Sequence, residues 1–178
     1  MIKIDSAWAV SEKNVRPQQA HYFQKIPLFA HAGGHHDAPT GLSAPSALAA
    51  DLETGHILFE HRKDDIRPIA SVTKLMTGLI ALESINRFKD LTIDKTAAET
   101  FGDTGRVRAG DTFRAQDLLY PLILSSSNDV ATLYTQQTEG FVGLMNQKAK
   151  AIDLTQTSFK DATGLSPENV STVEDLFK

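Results

Sequence analysis

Apolar positions recur at helical spacing over four stretches of the 178-residue chain. The spacing predicts a helix from Ser71 to about Ser84, because Leu75, Met76, Leu79, Ile80 and Leu82 recur at i, i+3 and i+4. Such a helix is expected to be largely buried. Ala115–Leu124 repeats the pattern, with Asp117 near its first turn and a kink expected at Pro121. Asp129–Gln137 follows, then Phe141–Asp153, in which Phe141, Leu144, Met145, Ala149 and Ile152 share one side. Val173–Lys178 begins a further helix. Ahead of these, Ala47–Asp51 and Ile57–Glu60 flank Glu53-Thr54-Gly55, a hairpin pattern with glycine where a positive φ is needed. Residues 91–114 read as short extended pieces and turns punctuated by Gly102, Gly105 and Gly110, and Thr157–Gly164 as a strand and turn.

Residues 1–45 carry no sustained period of either kind. Pro17, Pro27, Pro39, Pro45 and the Gly33-Gly34 pair make this segment an extension or linker, and residues 46–178 the folded domain. His31, His35 and His36 invite a metal reading, since i, i+4 suits a helix. Gly33-Gly34 between them opposes that helix, and no further ligand stands at a typical spacing, so a solvated loop is expected and no metal site is assigned.

Composition narrows the classes. An apolar share of 41% suffices for a core and excludes wholesale disorder. The longest apolar run, near Leu118–Leu124, falls far short of the ~18 residues that span a bilayer. A net charge of −4 offers no electrostatic reason to expect a nucleic-acid partner. Without cysteine, disulfides, thiolate metal sites and cysteine nucleophiles are excluded together. The N-terminus does not read as a signal peptide, because Asp5, Glu12, Lys13 and Arg16 break any apolar stretch behind Lys3. Either the protein stays inside, or an export sequence has been lost.

Ser71-Val72-Thr73-Lys74 is the sharpest chemical signal. Residues i and i+3 share a helix face, so the Ser71 hydroxyl and the Lys74 amine can meet. In a first helical turn, unpaired backbone N–H groups would also favour a developing oxyanion. Serine is a weak nucleophile until a neighbouring base takes its proton, and an uncharged lysine can do that. Making a lysine neutral at pH 7 costs about 4.6 kcal/mol from its reference pKa, so burial or a second cation must lower it. The plainer alternative is a helix-capping serine followed by a surface lysine. The second signal, Ser126-Ser127-Asn128, lies between two predicted helices, 55 residues after Ser71. It is either an inter-helix loop with a serine cap or a Ser-x-Asn loop facing the Ser71 pocket. In the second case Ser126 relays a proton between Lys74 and the leaving group, and Asn128 holds a substrate amide.

Together these motifs resemble the serine D-alanyl-D-alanine carboxypeptidases, the low-molecular-weight penicillin-binding proteins. The resemblance covers about residues 44–178: the Ala47–Glu60 hairpin, Pro68–Thr77 around Ser71, Leu118–Ala131 around Ser126, and the Thr163–Thr172 turn. It implies an α/β (α+β) fold of the serine β-lactamase and penicillin-binding transpeptidase type, a helical cluster beside an antiparallel sheet, with that sheet incomplete in this chain. It also implies an acylated Ser71, Lys74 as general base, Ser126 in proton transfer and Asn128 in substrate binding. The implied partners are peptidoglycan stem peptides ending in D-Ala-D-Ala, with β-lactams as inhibitors. No cofactor is implied, and the implied location is extracytoplasmic.

One departure matters. The family's third motif, Lys-Thr-Gly on a strand, supplies a cation and part of the oxyanion hole, and no such tripeptide follows Asn128 here; Ala162-Thr163-Gly164 lacks the base. The chain is either a fragment or a degenerate member. Four functions compete: the carboxypeptidase, a D,D-endopeptidase using the same motifs, a β-lactamase with Glu168 as the deacylating carboxylate, and a scaffold without a working site. Rapid turnover of penicillin marks the β-lactamase, and absence of any penicillin adduct marks the scaffold. Loss of an oxyanion donor typically costs about 10²–10³ in rate. The chain as written is therefore expected to release little D-Ala from a D-Ala-D-Ala peptide, and to self-associate through an unpaired hairpin edge. A D-Ala release assay on purified monomer checks this; turnover matching a full-length relative would mean another segment replaces that strand.

Overall fold

The computed structural model describes residues 42–102 and 107–178. His31, His35, His36 and nearly all of the expected extension lie outside the described residues. In chain order the elements are β1 (Ala47–Ala50), β2 (Ile57–His61), β3 (Arg67–Pro68), a 3-10 turn (Ala70–Val72), α1 (Thr73–Ser84), β4 (Asp90–Thr92), α2 (Lys95–Ala98), β5 (Thr112–Arg114), α3 (Leu119–Leu124), α4 (Asn128–Gln137), α5 (Phe141–Ala151), β6 (Val170–Ser171) and α6 (Val173–Phe177). Helices lie beside antiparallel strands, in the expected α+β class. Among the described residues the strands form three separate pairs, β1–β2, β3–β6 and β4–β5.

The hairpin is the one expected. Ala47 pairs with His61 and Ala50 with Ile57, with a bulge between Ala49 and Ala50. Its turn is closed by the Asp51 carboxylate, which accepts from the Glu53 and Thr54 amides at 2.9 Å each. Gly55 takes φ +70°, the left-handed conformation that the hairpin pattern required. The β3–β6 pair was not foreseen. It sets Arg67 opposite Ser171 and Pro68 opposite Val170, joining the approach to Ser71 to a segment a hundred residues later.

The core gathers Met76 and Ile80 from α1, Leu91 and Ile93 around β4, Leu122 from α3, Val130, Leu133 and Tyr134 from α4, and Phe141 and Met145 from α5. The buried Tyr134 hydroxyl donates to the Ala115 carbonyl at 2.5 Å, which satisfies it away from water. Among the described residues no helix is long and apolar enough to cross a membrane.

Three expectations need correction, the last being the strand over Thr157–Gly164, which reduces to an isolated Ser158–Val170 bridge among turns. Leu75 and Leu82 are 62% and 54% exposed, so the apolar stripe of α1 is only half of its buried face. Thr73, Lys74, Thr77 and Gly78 make the other half. Polar residues enter the interior because each has a partner there: Thr77 Oγ1 donates to the Ala162 carbonyl at 2.7 Å, and the partners of Thr73 and Lys74 are described below. The second correction concerns the helix expected from Ala115, which begins later and leaves Pro121 near its start. Residues 115–118 form turns and α3 starts at Leu119, so Pro121 stands in the first turn, where a helix needs no amide from it.

Leu122 is fully buried, with its Cδ2 against Gly78, where α1 and α3 meet. Leu122→Ala is expected to cost about 2–5 kcal/mol in urea unfolding. Leu82→Ala, at an exposed position of α1, is expected to change stability by under about 1 kcal/mol.

Candidate active site

Ser71 sits in the 3-10 turn rather than in the first turn of the α-helix, which begins two residues later. Its neighbour Ala70 holds φ +44°, a conformation costly for a residue with a Cβ. The serine is exposed, whereas Lys74 is 2% exposed. The Lys74 Nζ donates to Ser71 Oγ at 3.1 Å and to the Thr163 carbonyl at 2.5 Å. The i, i+3 spacing does bring hydroxyl and amine together.

The Thr163 carbonyl belongs to a tight turn over residues 161–166. Asp161 Oδ1 accepts from the Thr163 amide at 2.7 Å, the Thr163 hydroxyl at 2.8 Å and the Gly164 amide at 2.7 Å. Asp161 Oδ2 accepts from the Ser166 amide at 2.6 Å. Burial pushes the Asp161 carboxyl up, but these hydrogen bonds outweigh it and hold the pKa below the usual 3.8. Gly164 takes φ +88°, and a Cβ there would fall 2.2 Å from the Ala70 carbonyl oxygen and 2.9 Å from the Ser71 nitrogen. Only glycine lets this turn lie against the backbone of Ser71. Asn169, fully buried, holds the turn from behind. Its Oδ1 accepts from the Lys160 amide at 2.6 Å and the Asp161 amide at 3.1 Å, and its Nδ2 donates to Thr73 Oγ1 at 3.2 Å.

The Ser126-Ser127-Asn128 loop joins α3 to α4. Ser127 caps α4, its Oγ accepting from the Val130 amide at 3.1 Å and donating to Asp129 Oδ1. The capping role expected of a plain loop therefore falls on Ser127, which leaves Ser126 unaccounted for. Ser126 takes φ +56°, and its Oγ is buried without a hydrogen-bond partner among the described residues. A buried hydroxyl left unpaired typically costs about 1–3 kcal/mol, so it calls for an explanation beyond folding. Asn128 is buried and donates from Nδ2 to the Phe101 carbonyl at 2.9 Å. A Cβ on Gly102 would fall 2.5 Å from Asn128 Nδ2 and 3.7 Å from Leu165 Cδ2. Gly102 thus lies between Asn128 and Leu165, and Leu165 follows the glycine that touches Ser71. Glu168 is exposed, with its amide donating to Ser166 Oγ at 3.2 Å. Among the described residues no group of His, Asp and Glu side chains is placed to hold a metal.

Asp161 and Asn169 were not singled out from the sequence. The signal was Asp161-x-Thr163-Gly164, the pattern of a carboxylate closing a turn over its own following amides.

An exposed serine bonded to a buried lysine three residues on, in an α+β domain, is the layout of a penicillin-binding peptidase. Residues 34–178 match the D-alanyl-D-alanine carboxypeptidase family, peptidase S11, and the chain belongs to that family. A D-alanyl-D-alanine endopeptidase of Pseudomonas aeruginosa is 38% identical over 142 residues, covering 76% of this chain and 46% of the relative. The D-alanyl-D-alanine carboxypeptidase DacF of Bacillus subtilis is 31% identical, covering 79% of this chain and 38% of the relative. Of solved structures, a D-alanyl-D-alanine carboxypeptidase from Mycobacterium tuberculosis is similar at TM-score 0.72 and 28% identity, over 83% of this chain and 57% of that one. The Streptomyces K15 DD-transpeptidase is similar at TM-score 0.69 and 27% identity, over 72% of this chain and 56% of that one. The chain spans about half the length of the curated relatives it matches, 46% for the endopeptidases of Pseudomonas aeruginosa and Escherichia coli.

Gly164→Ala is expected to lower stability by at least about 1–3 kcal/mol, read as a fall in Tm, since a Cβ meets backbone that cannot move aside. The lowered Asp161 pKa also predicts an acid limb. The folded state favours the carboxylate, so its contribution is complete well above the unfolded value near 3.8 and is lost as pH falls through the folded value. Asp175 acts in the same sense: burial raises its pKa, but the Gln156 amide, the Thr157 hydroxyl and Lys178 bring it below 3.8. Tm is expected to drop steeply below about pH 4, and Asp161→Asn to flatten that drop.

Proposed function

We propose that this chain carries the acylating half of a serine-type D-Ala-D-Ala peptidase acting on peptidoglycan stem peptides. The observation that carries the reading is the 3.1 Å contact between the buried Lys74 amine and the exposed Ser71 hydroxyl. A nucleophile and its base within hydrogen-bond reach, the first open to substrate and the second sheltered from water, are what acyl transfer needs. In its neutral form Lys74 takes the Ser71 proton as Oγ attacks the carbonyl of the penultimate D-Ala. The tetrahedral intermediate collapses, the C–N bond breaks, and the terminal D-Ala leaves with a proton delivered to its nitrogen. Ser126, whose buried hydroxyl has no partner among the described residues, passes that proton. Water then hydrolyses the Ser71 ester. Asn128 presents its side-chain amide to the peptide. A β-lactam acylates the same Ser71 oxygen through its strained amide.

A second reading has its own support. Three similar relatives, from Pseudomonas aeruginosa, Escherichia coli and Haemophilus influenzae, are named D-alanyl-D-alanine endopeptidases, at 38%, 34% and 32% identity. The same residues would then cut a cross-link rather than release a terminal residue, with identical bond chemistry. Either substrate belongs to the cell-wall polymer, so on both readings the protein acts on the extracytoplasmic side.

Intact-mass measurement after incubation with a penicillin tests the site, because labelling needs a single acylation. Wild-type protein is expected to gain one penicillin mass, and Ser71→Ala none. Lys74→Ala is expected to slow labelling by about 10²–10⁴, the usual contribution of a positioned base. An adduct that survives Ser71→Ala would place the nucleophile elsewhere.

A further inference from the structure

We infer that Asp161, braced by Asn169, is a positioning residue that aims the Lys74 amine at Ser71 by fixing the direction of the Thr163 carbonyl. The inference rests on the Ser71–Lys74 reading above and adds two residues to it.

A primary amine can rotate about its last carbon–nitrogen bond, and as a base it must keep its lone pair toward the serine hydroxyl. Its hydrogens must then be held elsewhere. The Thr163 carbonyl, 2.5 Å from Nζ, receives one of them. What aims that carbonyl is the rigidity of the peptide unit, in which the C=O of Thr163 and the N–H of Gly164 lie in one plane and point oppositely. Asp161 Oδ1 grips that N–H at 2.7 Å on one side, so the carbonyl oxygen projects from the other side, toward Lys74. The same carboxylate holds the Thr163 amide, the Thr163 hydroxyl and the Ser166 amide, which leaves the plane little freedom to rotate.

Asn169 supplies the frame. Its side chain accepts from the Asp161 amide at 3.1 Å and donates to the Asp161 carbonyl at 3.2 Å, so the backbone bearing the carboxylate is held at both ends. Its Nδ2 also donates to Thr73 Oγ1 at 3.2 Å, on the residue before Lys74. Its own carbonyl accepts from the Ile69 amide at 3.0 Å, two residues before Ser71. One side chain and its backbone thus tie together the turn, the helix that carries the amine and the segment that carries the hydroxyl. A turn needed only for folding has no reason to be anchored to the flanks of both reacting groups.

The test uses Asp161→Asn and Thr163→Ala in the full chain. Asp161→Asn keeps the shape but loses the charge and one acceptor oxygen; Thr163→Ala removes one of the five hydrogen bonds to the Asp161 carboxylate, together with the acceptor of the Leu165 amide, and leaves the carbonyl. Penicillin labelling is followed at saturating ligand, giving an acylation rate constant, a non-covalent binding constant and a final labelled fraction. Asp161→Asn is expected to lower the acylation rate constant by about 10- to 100-fold, the effect of a small misplacement of a reacting group. Its binding constant and its final labelled fraction are expected to stay within about twofold, because Asn128 and Ser71 are untouched. Thr163→Ala is expected to move the rate the same way by about threefold or more. A merely structural role would instead reduce the labelled fraction and leave the rate constant unchanged, which overturns the inference. If Asp161→Asn does not fold, Thr163→Ala decides alone, and an unchanged rate constant overturns it. A crystal structure of the variant that folds provides a readout independent of activity: a displaced Nζ supports the inference, and an unmoved Nζ on the Thr163 carbonyl refutes it. Should wild-type protein take no penicillin on Ser71, the acylation reading fails, and the position of Nζ in the variant still decides the role of Asp161.

Discussion

The structure turns on a lysine taken out of water. Lys74 lies on the inward face of α1 at 2% exposure, where an unbonded amine would cost several kcal/mol. Its hydrogen bond to the Thr163 carbonyl offsets that cost, and the need for such a carbonyl constrains the surrounding chain. The 161–166 turn must dock on α1, so Gly164 must lie against Ala70 and Ser71 with no side chain between them. The carboxylate of Asp161 must close the turn, and Asn169 must hold its base. The β3–β6 pair fastens the far end, joining Pro68 to Val170 on either side of the site. The polar character of the buried face of α1 follows, since Thr73, Lys74 and Thr77 all find partners on residues 162–169.

Local strain is concentrated at the same place. Among the described residues only Arg62, Ala70, Ser126 and Asp153 carry a positive φ without being glycine. Two of these four belong to the candidate site: Ala70 immediately precedes Ser71, and Ser126 opens the Ser-x-Asn loop. Residues held this way cost about 1–3 kcal/mol each and persist where surrounding contacts over-determine them. At Ala70 those contacts are the Gly164 turn and the β3–β6 pair. At Ser126 they are the amide of Ser127 donating back to the Pro121 carbonyl at 3.1 Å, and the capped start of α4. The Ser126 hydroxyl is buried by this geometry and has no hydrogen-bond partner among the described residues.

Much of the local structure was legible along the chain. The β1–β2 hairpin, its glycine and the extents of α1, α4 and α5 all follow from spacing and turn chemistry, because each depends on residues within a few positions of one another. Lys74 meeting Ser71 is of the same kind, since one turn of helix sets their separation. The outward Leu75 and Leu82 show the limit of this logic: periodicity tells which side chains share a face of α1, but not how far around that face the neighbours reach. Pro121 shows another, because a proline kinks a helix or starts one according to a boundary that flanking turns decide.

The sequence by itself determined the β1–β2 hairpin, the helices α1, α4 and α5, and the pairing of a serine with a lysine, all products of short-range geometry. Only the tertiary structure decided what surrounds that pair. The Thr163 carbonyl lies 89 positions from Lys74, and Asn169 lies 96 from Thr73. Contacts at such separations are fixed by which surfaces bury each other and which polar groups must then be satisfied. No local spacing carries that information, so Asp161 and Asn169, ordinary turn residues in the sequence, stand out only once the chain has closed around Lys74.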